Sequence, residues 1–125
     1  MLDDASVTAM LPVVDLRRAR AFYEKVLGLR PVQERADGKV FYESGGGRFA
    51  LYERATPTTA DHTALSFELA DVRQAVAALR ERGVRFEEYD FPGLKTTDGV
   101  CVLGAEIAAW FKDPDGNILC VHELR

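Results

Sequence analysis

The chain has 125 residues, 47% apolar and 29% charged, with a net charge of −4. That is the profile of one globular domain, long enough to bury roughly two thirds of its unfolded surface without a structural metal or disulfide. Acidic and basic residues are interspersed, so no basic stripe exists to neutralise a phosphate backbone, and no nucleic-acid partner is expected. No apolar run approaches the ~20 residues of a membrane helix, so no membrane partner is expected either. The acidic opening Met1-Leu2-Asp3-Asp4 is not read as a signal peptide, and two cysteines, Cys101 and Cys120, make no disulfide framework. The expected setting is cytoplasmic.

In chain order, the first helical pattern starts at Asp15, whose carboxylate can accept from the free N–H groups of a first turn. Leu16, Ala19, Phe22, Val26 and Leu27 then recur on one helical face, and Gly28 follows where a left-handed residue ends a helix. Strands are predicted at 30–35, 39–44 and 48–54, joined by Asp37-Gly38 and by Gly45-Gly46-Gly47. A Thr-rich linker, 55–61, leads to an alternating strand in which Leu65, Phe67 and Leu69 oppose His62, Ala64, Ser66 and Glu68. The second helical pattern starts at Asp71, continues through Val72, Ala75, Val76 and Leu79, and stops at Gly83. Strands follow at 84–89, 107–112 and 117–124, the last two around Asp113-Pro114-Asp115-Gly116.

The two halves are one unit written twice. Asp15 to Asp71 spans 56 positions and Gly28 to Gly83 spans 55, an offset preserved across cap and stop. Each unit reads strand, helix, three strands. The predicted architecture is α+β, a single domain of residues 1–125 with module one at about 5–54 and module two at about 62–124.

Val14-Asp15-Leu16, Ala21-Phe22-Tyr23, Val26-Leu27-Gly28 and the run from Trp110 to Asn117 (Trp-Phe-Lys-Asp-Pro-Asp-Gly-Asn) resemble the vicinal oxygen chelate superfamily. This group contains glyoxalase I, extradiol dioxygenases, fosfomycin-inactivating enzymes and bleomycin-binding proteins. The resemblance runs from about Val7 to Glu123. It implies two βαβββ modules with mixed sheets curved around a pocket, and a homodimer, the usual state of related single-chain proteins. Family metalloenzymes hold a divalent ion through four side chains, one from each of four strands. Carried over, those positions fall on Thr8, Tyr52 (with Glu53 next to it), His62 and Cys120. A hydroxyl, a phenol, one imidazole and a thiol are a poor set for Mg²⁺, Mn²⁺, Ni²⁺ or Fe²⁺. No cofactor is therefore expected. An atypical zinc or copper set of His62, Cys120 and His122 is the metal-dependent alternative, since Cys120 and His122 lie two apart on one strand.

Other candidate pocket residues are Trp110 as an aromatic wall and Tyr42 as a phenol. Phe91, Lys95 and Thr96 belong to the long segment Tyr89–Gly99, which reads as a lid or binding loop. Ser44 and Ser66 lack a nucleophile elbow, so nucleophilic catalysis is not expected. The leading expectation is a metal-independent binder of an amphipathic or aromatic small molecule, through Thr8, Tyr52, His62, Phe91, Lys95, Thr96, Trp110 and Cys120. A metal-dependent lyase or dioxygenase of the same fold is the first alternative, and a dimeric accessory protein without a ligand is the second.

Overall fold

In a computed structural model, which describes residues Met1–Leu124, the chain forms two compact units, residues 1–58 and the remainder from Thr59. After a 3₁₀ turn at Leu2–Asp4, the first unit comprises β1 (Ala9–Val13), α1 (Leu16–Ala21), β2 (Pro31–Glu34), β3 (Val40–Ser44) and β4 (Gly47–Glu53). Its sheet has the order β1-β4-β3-β2, with β1 parallel to β4 and the other pairs antiparallel. Pro12 lies in β1, an edge strand, where a missing N–H removes no second ladder.

The second unit comprises β5 (Thr63–Glu68), α2 (Val72–Glu81), β6 (Asp90–Phe91), β7 (Leu94–Lys95), β8 (Cys101–Leu103), β9 (Glu106–Lys112) and β10 (Ile118–Leu124). Its main sheet, β5-β10-β9-β8, repeats the first: one parallel pair, then antiparallel pairs. No helix among the described residues is long and apolar enough to cross a membrane.

The repeat extends to hydrogen bonds. Asp15 accepts from the backbone N–H of Arg18, and Asp71 accepts from that of Gln74. A glutamate at the end of the parallel strand then satisfies each first helical N–H: Glu53 accepts from Leu16 at 3.0 Å and Glu123 from Val72 at 2.8 Å. These bonds fix the sheet faces. Phe49, Leu51 and Glu53 share one face of β4, so Tyr52 belongs to the face away from α1.

Three sequence expectations need correcting. The first helix is not a uniform α-helix: residues Phe22–Val26 form a π-helical turn, with the N–H of Leu27 reaching the carbonyl of Phe22. Tyr23, outside the predicted apolar face, is fully buried against Tyr42 and Phe49, at centroid distances of 6.1 and 5.6 Å. Residues 84–89 are not a full strand. They meet β9 through a bridge between Phe86 and Phe111 and the bond from Glu87 N–H to the Trp110 carbonyl, and β8 takes the rest of that edge. Lastly, the long loop is a hairpin, β6 and β7, with Asp90 opposite Lys95.

Candidate functional site

In the second unit, Leu65, Phe67, Leu119, Val121, Phe111 and Ala109 lie on the helix-facing side of the sheet, and the alternate residues face away from α2. On that open face Cys120 lies between Trp110 of β9 and Ser66 of β5, and His122 pairs with Glu68. The register follows from the turn between β9 and β10. Asp113 Oδ1 accepts from the N–H groups of Asp115 and Asn117, Asn117 Nδ2 donates to Asp113 Oδ2, and Gly116 adopts φ 91°. Asp113, Asp115 and Asn117 are all buried. The motif that carries the family resemblance is therefore a structural clamp. It sets which side chains of β10 face outward.

Polar groups on this face are connected. Ser66 Oγ stands 2.6 Å from His122 Nδ1, and His122 Nε2 stands 3.6 Å from Glu68 Oε1. Ser66 is exposed, whereas the His122 side chain is only 19% exposed. Trp110 Nε1 donates to Thr63 Oγ1 at 3.2 Å, and its ring meets Tyr89 edge-on with centroids 5.6 Å apart. Tyr89 in turn contacts Phe91, which is 54% exposed, at 5.9 Å. Burial chiefly pushes the Cys120 thiol above its ordinary pKa of 9.0, although the Ser66 hydroxyl and the Ala109 backbone act the other way. Burial, with Glu87 and Cys120 adding to it, likewise raises the phenol of Tyr89. At neutral pH the face carries a neutral thiol, a neutral phenol, an indole and a serine–histidine pair.

Of the sequence-predicted residues, Cys120 and Trp110 are neighbours here, and Phe91 joins them through Tyr89. His62 does not. It is exposed, precedes β5, and its Nδ1 lies 3.3 Å from the carbonyl oxygen of Thr63. The reason is a bulge: Thr63 pairs with Ile118 but Leu65 with Leu119, so Ala64 interrupts the alternation on which the placing of His62 rested. His62 is four positions before Ser66, about 13 Å at the rise of an extended chain. Lys95 is exposed on the hairpin. Thr96 is buried, and its hydroxyl accepts from the N–H of Tyr89 and donates to Glu88. It anchors the hairpin. Glu88 also accepts from the N–H of Gly99, and these two bonds hold its carboxyl below the ordinary value. Gly99 has φ 77°, and a Cβ there would stand 2.9 Å from the side chain of Phe86.

Thr8 is half-buried just before β1, and Tyr52 is half-buried opposite Pro12. Both belong to the first unit. Tyr42 points to the helix side, fully buried and stacked on Phe49 at 5.1 Å. The first unit also has a surface groove of about 610 Å³ beside α1, lined by Arg17, Arg20, Glu24, Lys25 and Glu53. Arg20 binds Glu24 and Glu34 there, and Glu53 caps α1, so these charges are committed to one another and to the backbone, unlike those of Arg17 and Lys25.

The residues at the family's metal positions do not fit a divalent ion. Thr8 and Tyr52 offer neutral oxygens, Cys120 a single buried soft thiol, and His62 points to solvent, too few hard donors for such an ion. Among the described residues no three His, Cys, Asp or Glu side chains stand together as a metal-binding group. The atypical set His62, Cys120 and His122 fails by the register just given. Sequence reasoning set Ser66 aside for want of a nucleophile elbow and gave Glu68 no role, although the structure places both beside His122. The signal was their position on the polar side of β5, two residues apart.

Two sheets of like topology, each backed by one helix, define the class of paired βαβββ proteins. The chain belongs to the Glyoxalase/Bleomycin resistance protein/Dioxygenase superfamily, whose family model matches residues 6–121. Among solved structures it is similar to the fosfomycin resistance protein FosX from Listeria monocytogenes, at TM-score 0.74 and 15% identity over 98% of this chain and 94% of that one. TnmS3, an antibiotic-binding protein from Streptomyces sp. CB03234, aligns at TM-score 0.67 and 22% identity over 98% of each chain. The integron cassette protein VCH_CASS1 from the mobile metagenome of V. cholerae aligns at TM-score 0.67 and 26% identity over 96% of this chain and 94% of that one. No curated protein matches.

Proposed function

We propose that the chain is a small-molecule-binding protein that takes an amphipathic or aromatic ligand against the open face of its second sheet, without a metal ion. One observation carries this reading: Trp110 and Tyr89 form an aromatic wall beside the Ser66–His122 hydrogen-bonding pair. Rings supply apolar area and a few fixed polar groups supply orientation, which is the usual make-up of a ligand site. The fold is shared with a protein described as antibiotic-binding and with a fosfomycin resistance protein. A homodimer in the cytoplasm belongs to the same proposal. Exposed Val102 and Leu103 on β8 suit a partner surface, and two buried free thiols suit a reducing compartment.

Trp110 is the sole tryptophan, so its fluorescence reports on this face alone. Titration with small aromatic compounds, beginning with 4-nitroacetanilide, should give saturable quenching, unchanged by EDTA and accompanied by a raised Tm. Tyr89→Ala should weaken the quenching about tenfold. Quenching that vanishes on chelation and returns with a divalent metal would overturn the proposal, as would a panel without one saturable ligand.

A further inference from the structure

Ser66 Oγ and His122 Nδ1 stand at hydrogen-bond distance, 2.6 Å, and Ser66 is exposed while the imidazole ring is mostly covered. We propose that Ser66 is an acyl-accepting nucleophile, with His122 as its general base and Glu68 as the carboxylate that orients the base, and that this face hydrolyses activated aryl esters. The proposal rests on the reading that an aromatic group lies against Trp110 and Tyr89.

The three residues reach one place through the parallel pairing of β5 and β10. Ser66 sits opposite Cys120 and Glu68 opposite His122, so the imidazole is flanked along β5 by a hydroxyl on one side and a carboxylate on the other. With the proton on Nε2, facing Glu68, Nδ1 presents a lone pair to Ser66 Oγ. The Nε2–Oε1 separation of 3.6 Å is within ion-pair range and longer than a hydrogen bond, a looseness common in ligand-free sites. Nucleophile, base and orienting acid are recognised by such geometry and not by order along the chain. The usual nitrogens are exchanged here: the hydroxyl meets Nδ1 and the carboxylate Nε2.

In the first step Ser66 Oγ forms a bond to the ester carbonyl carbon and passes its proton to His122 Nδ1. The bond from carbonyl carbon to aryloxy oxygen breaks, and the aryloxide leaves with that proton. Water then attacks the acyl-serine with His122 again as base, which releases the carboxylic acid and restores the Ser66 hydroxyl. Glu68 stabilises the imidazolium in both steps. The co-reactant is water.

The test uses the full chain with 4-nitrophenyl acetate. The readouts are release of 4-nitrophenolate, intact mass, and peptide mapping of the acetylated residue. The expected result is one acetyl group on Ser66, with release in Ser66→Ala reduced at least tenfold. His122→Gln should slow acetylation by about 10²-fold, the lower end of general-base contributions. Glu68 is a positioning residue, so Glu68→Asp should retain more activity than Glu68→Gln. Circular dichroism and Tm confirm that each variant is folded. An acetyl group mapped to Cys120 or to lysine, or Ser66→Ala as fast as the parent, would overturn the inference. If 4-nitroacetanilide quenches Trp110 while Ser66 stays unacetylated, the binding reading stands and the nucleophile falls. If neither occurs, both fall.

Discussion

The two units share a chain path and a capping scheme, yet they place their polar groups on opposite sides of the sheet. In the first, Tyr42 donates to Glu24 at 2.7 Å, Arg20 donates to the same carboxylate at 2.7 Å and reaches Glu34 at 2.7 Å. This network lies on the helix side, with Tyr42 fully buried. In the second, Ser66, His122 and Glu68 lie on the side away from the helix, and two of the three are exposed. A polar group buried under a helix is stabilising only while every partner is present. One on an open face is free to exchange a protein partner for a ligand. Duplication supplied one scaffold twice, and the side on which the polar residues fell separates structural chemistry from available chemistry.

The largest expected effect is on the first network. Tyr42→Ala removes a fully buried ring and one of the two donors to Glu24, leaving Arg20 as the other, and should destabilise the protein by about 3–5 kcal/mol in urea unfolding. Trp110→Ala on the open face should lower stability by less than that while removing aromatic-ligand binding. A larger loss from Trp110 than from Tyr42 would break the distinction between the two sides. Glu24→Gln comes next, at about 1–3 kcal/mol, since two donors lose a charged acceptor.

The acid limb sharpens the point. Burial raises the Glu24 carboxyl, but the bonds from Arg20 and Tyr42 outweigh it and hold it below its ordinary 4.5. A depressed folded value means stabilisation that is complete above about pH 4.5 and is lost as pH falls through the lower folded value. Tm measured from pH 7 to pH 3 should therefore drop less steeply in Glu24→Gln than in the parent chain.

The paired caps test the repeat itself. Glu53→Ala and Glu123→Ala should each cost about 1 kcal/mol, as helix caps do, with Glu123 at least as costly because its bond is shorter and part-buried. Unequal effects with Glu53 dominant would mean the caps are not equivalent. The smallest effect belongs to Ser66→Ala, which should shift stability by no more than about 0.5 kcal/mol. Both thiols should resist Ellman's reagent at neutral pH in the native state, since both are buried and Cys120 is held protonated. Two reactive thiols should appear on unfolding. Rapid modification of Cys120 in folded protein would show that the open face is less tightly packed than described.

Much of this was legible in the amino-acid order. Asp15 and Asp71 as caps, Gly28 and Gly83 as stops, the Gly45–Gly47 hairpin and the Asp113–Asn117 turn are local features, and local hydrogen bonding and φ preference fix them. The placement of Tyr52 away from α1 followed from strand period alone, as did the shared face of Cys120 and His122. Period also misled: it placed His62 with them because one residue inserted at Ala64 reverses a face without any mark in composition. The π turn that buries Tyr23, the taking of the sheet edge by Cys101–Leu103, and the meeting of Ser66 with His122 were decided only in three dimensions. Each depends on which strand pairs with which, and at what register. Those choices are set by packing summed over residues 56 positions apart, as Ser66 and His122 are. No local pattern in a single chain encodes that sum.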